Sequence, residues 1–136
     1  MSNDKTIKKE VANRHILRAK EKLSAAEYLF NNGFYEDAVS RAFYSAFHAA
    51  KSLLALLGEF SNEDVDIVVL FWIKAVEAKY IDEAYGRILN KLSLLKESAD
   101  HKAIAFLAKE EAKEAIDNAK SFLRVIEKKI NELSPT

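Results

Sequence analysis

The sequence predicts an all-α protein, an antiparallel up-and-down bundle of four to five helices. Three observations predict it. Only one proline, at position 135, and three glycines occur in 136 residues, so the backbone is rarely invited to turn. Charged residues make up 31% of the chain and are mixed with Ala and Leu, a composition that favours helix. Apolar residues recur at alternating spacings of three and four over long windows, the mark of one buried helical face.

The first helix is expected to start at Ser2, Asn3 or Asp4 as caps and to run to Asn31-Asn32-Gly33, with Ala12, Ile16, Ala19, Leu23, Ala26 and Phe30 as its core stripe. The second follows from about Phe34 to Leu57, with Val39, Ala42, Phe43, Ala46, Ala50, Leu53 and Leu57 inward and Gly58 as its C-terminal stop. The short connection between them makes an antiparallel hairpin. Ser61 and Asn62 are cap candidates for a third helix carrying Val65, Val68, Val69, Trp72 and Val76. Its β-branched run would also suit a strand, but a lone strand leaves its ladder groups unpaired, which favours helix. A fourth helix is predicted over Asp82 to Ser98 on Ala84, Ile88, Leu92 and Leu95, with Gly86 costing about 1 kcal/mol relative to Ala. The fifth starts at about Ala103 or Lys109 and ends at Leu133, on Ala112, Ala115, Ile116, Ala119, Phe122, Leu123, Ile126 and Ile130. Residues 1–136 read as a single domain without repeat or linker.

Lys plus Arg number 21 and Asp plus Glu number 21, so no global field draws the chain to a polyanion and any such binding needs a local patch. Cysteine is absent, which removes disulfides, thiolate metal sites and a cysteine nucleophile. The N-terminal residues are charged and lack the apolar segment of a secretory signal, and the apolar run from Val65 to Ile73 is far short of the roughly 20 residues that cross a bilayer. A cytoplasmic protein with no membrane partner is expected. The histidines show no ligand spacing, His15 and His101 lack a nearby second histidine, and no glycine-rich phosphate loop or nucleophile elbow occurs. No metal and no cofactor are expected.

The second helix holds the groups of chemical interest. On a wheel with Arg41 at zero, Ser45 falls at about 40°, His48 at about −20°, Asp37 at about −40° and Tyr44 at about −60°. These five share one face, opposite Ala42, Ala46, Ala50, Leu53 and Leu57. Arg, Tyr and His are groups that bind phosphates, bases and protons. An Asp37–Arg41 pair and a structural histidine would account for the same pattern. On the first helix Arg14, Arg18 and Lys22 form an i, i+4, i+8 stripe that is either a solvated face or a phosphate contact.

The stretch from Phe34 to Leu54, FYEDAVSRAFYSAFHAAKSLL, resembles the central helices of the HEPN family, with Ala19-Lys20 and Leu23 to Ala26 before it and the words around Gly86–Leu92, Leu95–Asp100 and Glu110–Ala119 after it. The family's Arg and His, four to six residues apart, match Arg41 and His48 with six between. That resemblance implies an antiparallel bundle forming a homodimer, so that two copies of Arg41 and His48 face one cleft. It further implies a metal-independent endoribonuclease toxin beside a minimal nucleotidyltransferase antitoxin. Arg41 and His48 are then the catalytic candidates, and Asp37, Tyr44, Ser45 and Lys51 the binding or supporting ones. His48 would move the protons of the ribose hydroxyl or leaving oxygen, Arg41 would hold the phosphate, and Asp37 would orient Arg41. The alternative is a non-catalytic module of the same fold that binds the nucleotidyltransferase, a nucleotide or RNA. The sequence departs from the family pattern at Ala42, where catalytic relatives carry a polar residue, and at Ala49 and Ala50, where regulated relatives carry a tyrosine. It departs again at Ser61-Asn62, in place of Thr-His, and at His101, in place of an aromatic.

Overall fold

The computed structural model describes residues 2–60, 66–101 and 108–135, and of Ser2 and Asn3 only the backbone. Five helices follow in order: α1 (Ser2–Asn31), α2 (Tyr35–Leu56), α3 (Ile67–Phe71), α4 (Glu83–His101) and α5 (Lys109–Leu133). α3 runs on directly into a π-helical turn, Trp72–Val76. No strand occurs among the described residues. The expected caps Ser61 and Asn62, the core position Val65 and the alternative start at Ala103 lie outside the described residues.

Helix ends follow local chemistry. Gly33 (φ +84°) and Gly58 (φ +91°) take the left-handed conformation that closes α1 and α2, open to glycine without the Cβ penalty. α3 is capped by Asp66, whose carboxylate accepts from the Val68 N–H at 2.9 Å. Asp82 caps α4 in the same way through the Ala84 N–H. At the start of α5 the Glu111 side chain reaches back to the Ala108 N–H at 3.2 Å. Asp4, an expected cap, lies within the first turn of α1 instead, where its charge complements the helix dipole.

α2 is the central element and packs on all four other helices. Its buried set therefore exceeds the single stripe expected of it: Ala38, Ser45, Ala49, Ser52 and Leu54 join Val39, Ala42, Ala46, Ala50 and Leu53. α1 and α5 flank it and run antiparallel to each other, with surface ion pairs Lys20–Glu127 and Lys120–Glu27 between them and Lys9 donating to the Ser134 carbonyl at 2.8 Å. The core is filled by Leu53, Leu54, Leu89, Leu92 and Ile126, with Phe71 against Phe122 at 5.3 Å between ring centroids.

The corner between α3 and α4 differs from expectation. Ala84 is exposed, and Gly86 and Leu89 turn inward instead. Gly86 is buried because the Trp72 indole lies on its backbone: a Cβ there would stand 2.5 Å from the Trp72 ring. The helix-propensity cost of this glycine is thus the condition for seating the indole. Val69 and Ile73, on the same segment, remain 52% and 47% exposed. No described helix is long and apolar enough to cross a membrane.

Candidate functional site: a histidine pair in the α1–α2 seam

Small residues build the seam between α1 and α2. Ala12, Ala19 and Ala26 recur every seven residues on α1 and are fully buried, as are Ala38, Ser45, Ala49 and Ser52 on α2. Without bulk between them the backbones come close enough for side-chain to main-chain hydrogen bonds across the seam. Ser45 Oγ donates to the Ala19 carbonyl at 2.8 Å, and Ser52 Oγ donates to the Ala12 carbonyl at 2.8 Å. Each hydroxyl is thereby satisfied in a place where an unpaired one would cost about 1–3 kcal/mol.

Between these two latches lie His15 and His48, both half-buried. Their Nδ1 atoms are 3.1 Å apart, their ring centroids 5.3 Å apart and their planes 25° from parallel. A contact of that length is a hydrogen bond when one ring donates and the other accepts, so at least one imidazole is neutral. Both are pushed toward neutrality. Burial lowers the His15 pKa first, followed by the charges of Lys51 and Arg18. For His48, burial again leads, followed by His15, Arg18, Lys51 and Lys22, and the pKa falls to about 4. At neutral pH both rings are uncharged in a cationic setting.

The expected site residues are only partly brought together. Arg41 is exposed on α2, seven residues and about 10 Å along the axis from His48. Asp37 is exposed too, and among the described residues the two form no ion pair. The expected orientation of Arg41 by Asp37 is therefore not seen. Ser45 does not stand on an open polar face: α1 covers it, and its hydroxyl is used by Ala19. This corrects its placement on the exposed polar face with Arg41 and Asp37. Tyr44 is half-buried and meets α4, with the Lys96 ammonium 5.3 Å from its ring centroid. The hydrogen bond that Lys96 donates to Asp100, and after it the one with Tyr44, raises the Lys96 pKa against the effect of burial. Lys51 lies with its ammonium 5.2 Å from the Phe47 ring, whose edge-on contact with His48 spans 5.4 Å.

His15, Arg18 and Lys22 complete the cluster around His48 from the neighbouring helix. The wheel of α2 alone excludes them. A signal did exist: folding the hairpin about Asn32 sets residues whose numbers sum to about 64 opposite each other, as Ser45 with Ala19 and Ser52 with Ala12, and that register puts His15 beside His48. His101 is exposed at the end of α4. No three His, Asp or Glu side chains among the described residues stand close enough together to hold a metal ion.

Comparison with known sequences places this geometry in a family context. The profile of the HEPN domain matches residues 12–129. A Methanocaldococcus jannaschii protein named "Putative toxin" is 38% identical over 115 residues, covering 85% of each chain. A second protein of that organism with the same name is 28% identical, covering 83% of this chain and 77% of the relative. A Thermotoga maritima protein of the UPF0332 group is 27% identical over 85% of this chain and 88% of its own.

Proposed function

The chain belongs to the HEPN domain family, and from that premise we propose that it is a toxin-type, metal-independent endoribonuclease acting as a cytoplasmic homodimer. The observation that carries the reading is an imidazole held neutral at physiological pH beside Arg18, Lys22 and Lys51, with the exposed Arg41 guanidinium two turns away on the same helix. A neutral imidazole is the form that accepts a proton, the surrounding cations favour a phosphate, and the negative charge of a bound phosphate raises the His48 pKa toward the working range of a base.

In this reaction the ribose 2′-oxygen attacks the adjacent phosphorus and its proton passes to His48. The bond from phosphorus to the 5′-oxygen breaks, and that oxygen takes a proton from a water molecule in the cleft, which recovers one from the protonated His48. The products are a 2′,3′-cyclic phosphate and a 5′-hydroxyl. Arg41 holds the phosphate and offsets the negative charge that builds on it. Exposed Val69 and Ile73 offer the apolar surface for pairing of two copies. A minimal nucleotidyltransferase is the antitoxin partner in this reading.

Purified protein incubated with RNA in the presence of a chelator is expected to release 2′,3′-cyclic phosphate ends. Both His48→Ala and Arg41→Ala should abolish them. Unchanged product from His48→Ala rejects the assignment of His48, and a monomer in light scattering rejects the composite cleft. A second reading, binding of RNA, nucleotide or the nucleotidyltransferase without turnover, is favoured by one observation: Ala42, next to Arg41, is fully buried and gives the site no polar group. Affinity for RNA that Arg41→Ala weakens, with no cleavage by the wild type, would establish it.

A further inference from the structure

We infer that His15 is a positioning residue for His48: their Nδ1–Nδ1 hydrogen bond, 3.1 Å across the α1–α2 seam, fixes the two rings in complementary tautomers. The inference rests on His48 being the proton-accepting group proposed above.

A neutral imidazole carries one N–H and one lone pair, on either nitrogen. When two such rings share a hydrogen bond through Nδ1, one has its proton on Nδ1 and leaves Nε2 as a base. The other has its proton on Nε2. The two outer nitrogens of the pair are then never alike. Proton acceptance by His48 needs a bare Nε2, so His48 is the Nδ1 donor and His15 the acceptor. An unassisted imidazole has no such constraint and exchanges freely between tautomers. His15 thus does for His48 what a third group does for the base of a nucleophile–base pair, holding its orientation and its proton.

The seam supplies the rigidity this role needs. The Ser45–Ala19 and Ser52–Ala12 hydrogen bonds bracket the pair from both sides, so His15 cannot slide along α1 without breaking them. The charged groups acting on His48 are Arg18 and Lys22 with His15 from α1, and Lys51 from α2. All are cationic or neutral. His15 is therefore the group through which the lone pair on Nε2 is defined, while burial first, and the cations after it, keep both rings unprotonated at neutral pH.

Nitrogen-15 NMR of the imidazoles tests the inference without relying on turnover. In the wild type at pH 7, His48 is expected to show protonated Nδ1 with bare Nε2, and His15 the reverse. In His15→Ala, His48 should shift to a mixture dominated by the Nε2–H form, and its titration midpoint should rise from about 4 by about one pH unit or more as a neighbour and part of its burial are lost. RNA cleavage by this variant should fall about tenfold or more, the usual range for loss of an orienting partner, with the acid limb of its pH profile moved upward. His15→Asn, whose amide can still meet Nδ1, should restore part of both the tautomer and the rate. Circular dichroism identifies a variant that has lost its fold, and the wild-type tautomer assignment then decides alone. An unchanged His48 tautomer and midpoint in a folded His15→Ala protein, or the same tautomer on both rings of the wild type, overturns the inference. Absence of RNA cleavage by the wild type, with the tautomers as stated, rejects the ribonuclease reading and leaves the geometry of the pair standing.

Discussion

The α1–α2 seam and the corner between α3 and α4 solve the same packing problem by opposite means. In the seam, alanines and two serines on both sides allow close backbone approach, and what is gained is polar: two hydroxyl-to-carbonyl bonds and a histidine pair held between them. At the corner one large indole sits on one glycine, and what results is apolar, with Val69 and Ile73 left uncovered beside it. Close small-residue packing can shelter proton-transfer groups because each buried polar atom finds a partner at short range. An aromatic seated on glycine fills space without fixing a polar neighbour. The seam is thus built for chemistry and the corner for association.

Added bulk in the seam is expected to have the largest effect. Ala19→Leu puts three carbons where the backbones meet and displaces the acceptor of Ser45, so a loss of roughly 3 kcal/mol is expected, together with loss of the His15–His48 contact. A denaturant melt and imidazole NMR read both. At the corner, Gly86→Ala tests whether the indole really needs the glycine. In an exposed helix this change would stabilise, but here the new Cβ meets Trp72 and a net loss of about 1–2 kcal/mol is expected. In a Trp72→Leu background the same Gly86→Ala change should cost little in a thermal melt, and a stabilised single variant would disprove the contact.

The smallest effect sharpens the electrostatic side. The folded-state pKa of His48, about 4, lies below its unfolded value of about 6.5, so between these values the unfolded chain binds more protons. The resulting contribution to stability is fully present above pH 6.5 and is lost as pH falls toward 4. Wild-type stability should therefore decline over that window more steeply than that of His48→Ala. Equal slopes in paired urea titrations would show that His48 titrates normally.

Helix number, order and most of the inward residues were legible in the sequence because each is encoded by spacing within a single element. Ala12, Ala19 and Ala26 carry the stripe of α1, and Ala112 to Ile130 that of α5, in plain periodicity. The position of the cluster was less legible. A wheel for α2 treats whatever is not apolar as outward, and so it set Ser45 on an open face, although a serine between two close helices satisfies itself on a neighbouring carbonyl. His15 was passed over for the complementary reason: its partner is 33 residues away and only the hairpin register brings it near. The π-helical turn and the fit of Trp72 on Gly86 are likewise tertiary matters, invisible to a local reading of either residue.

The latches at Ser45 and Ser52 make the geometry of the imidazole pair a property of the α1–α2 hairpin. Both rings, both hydroxyls and both carbonyls that accept from them belong to these two helices, so none of these three hydrogen bonds draws on α3, α4 or α5.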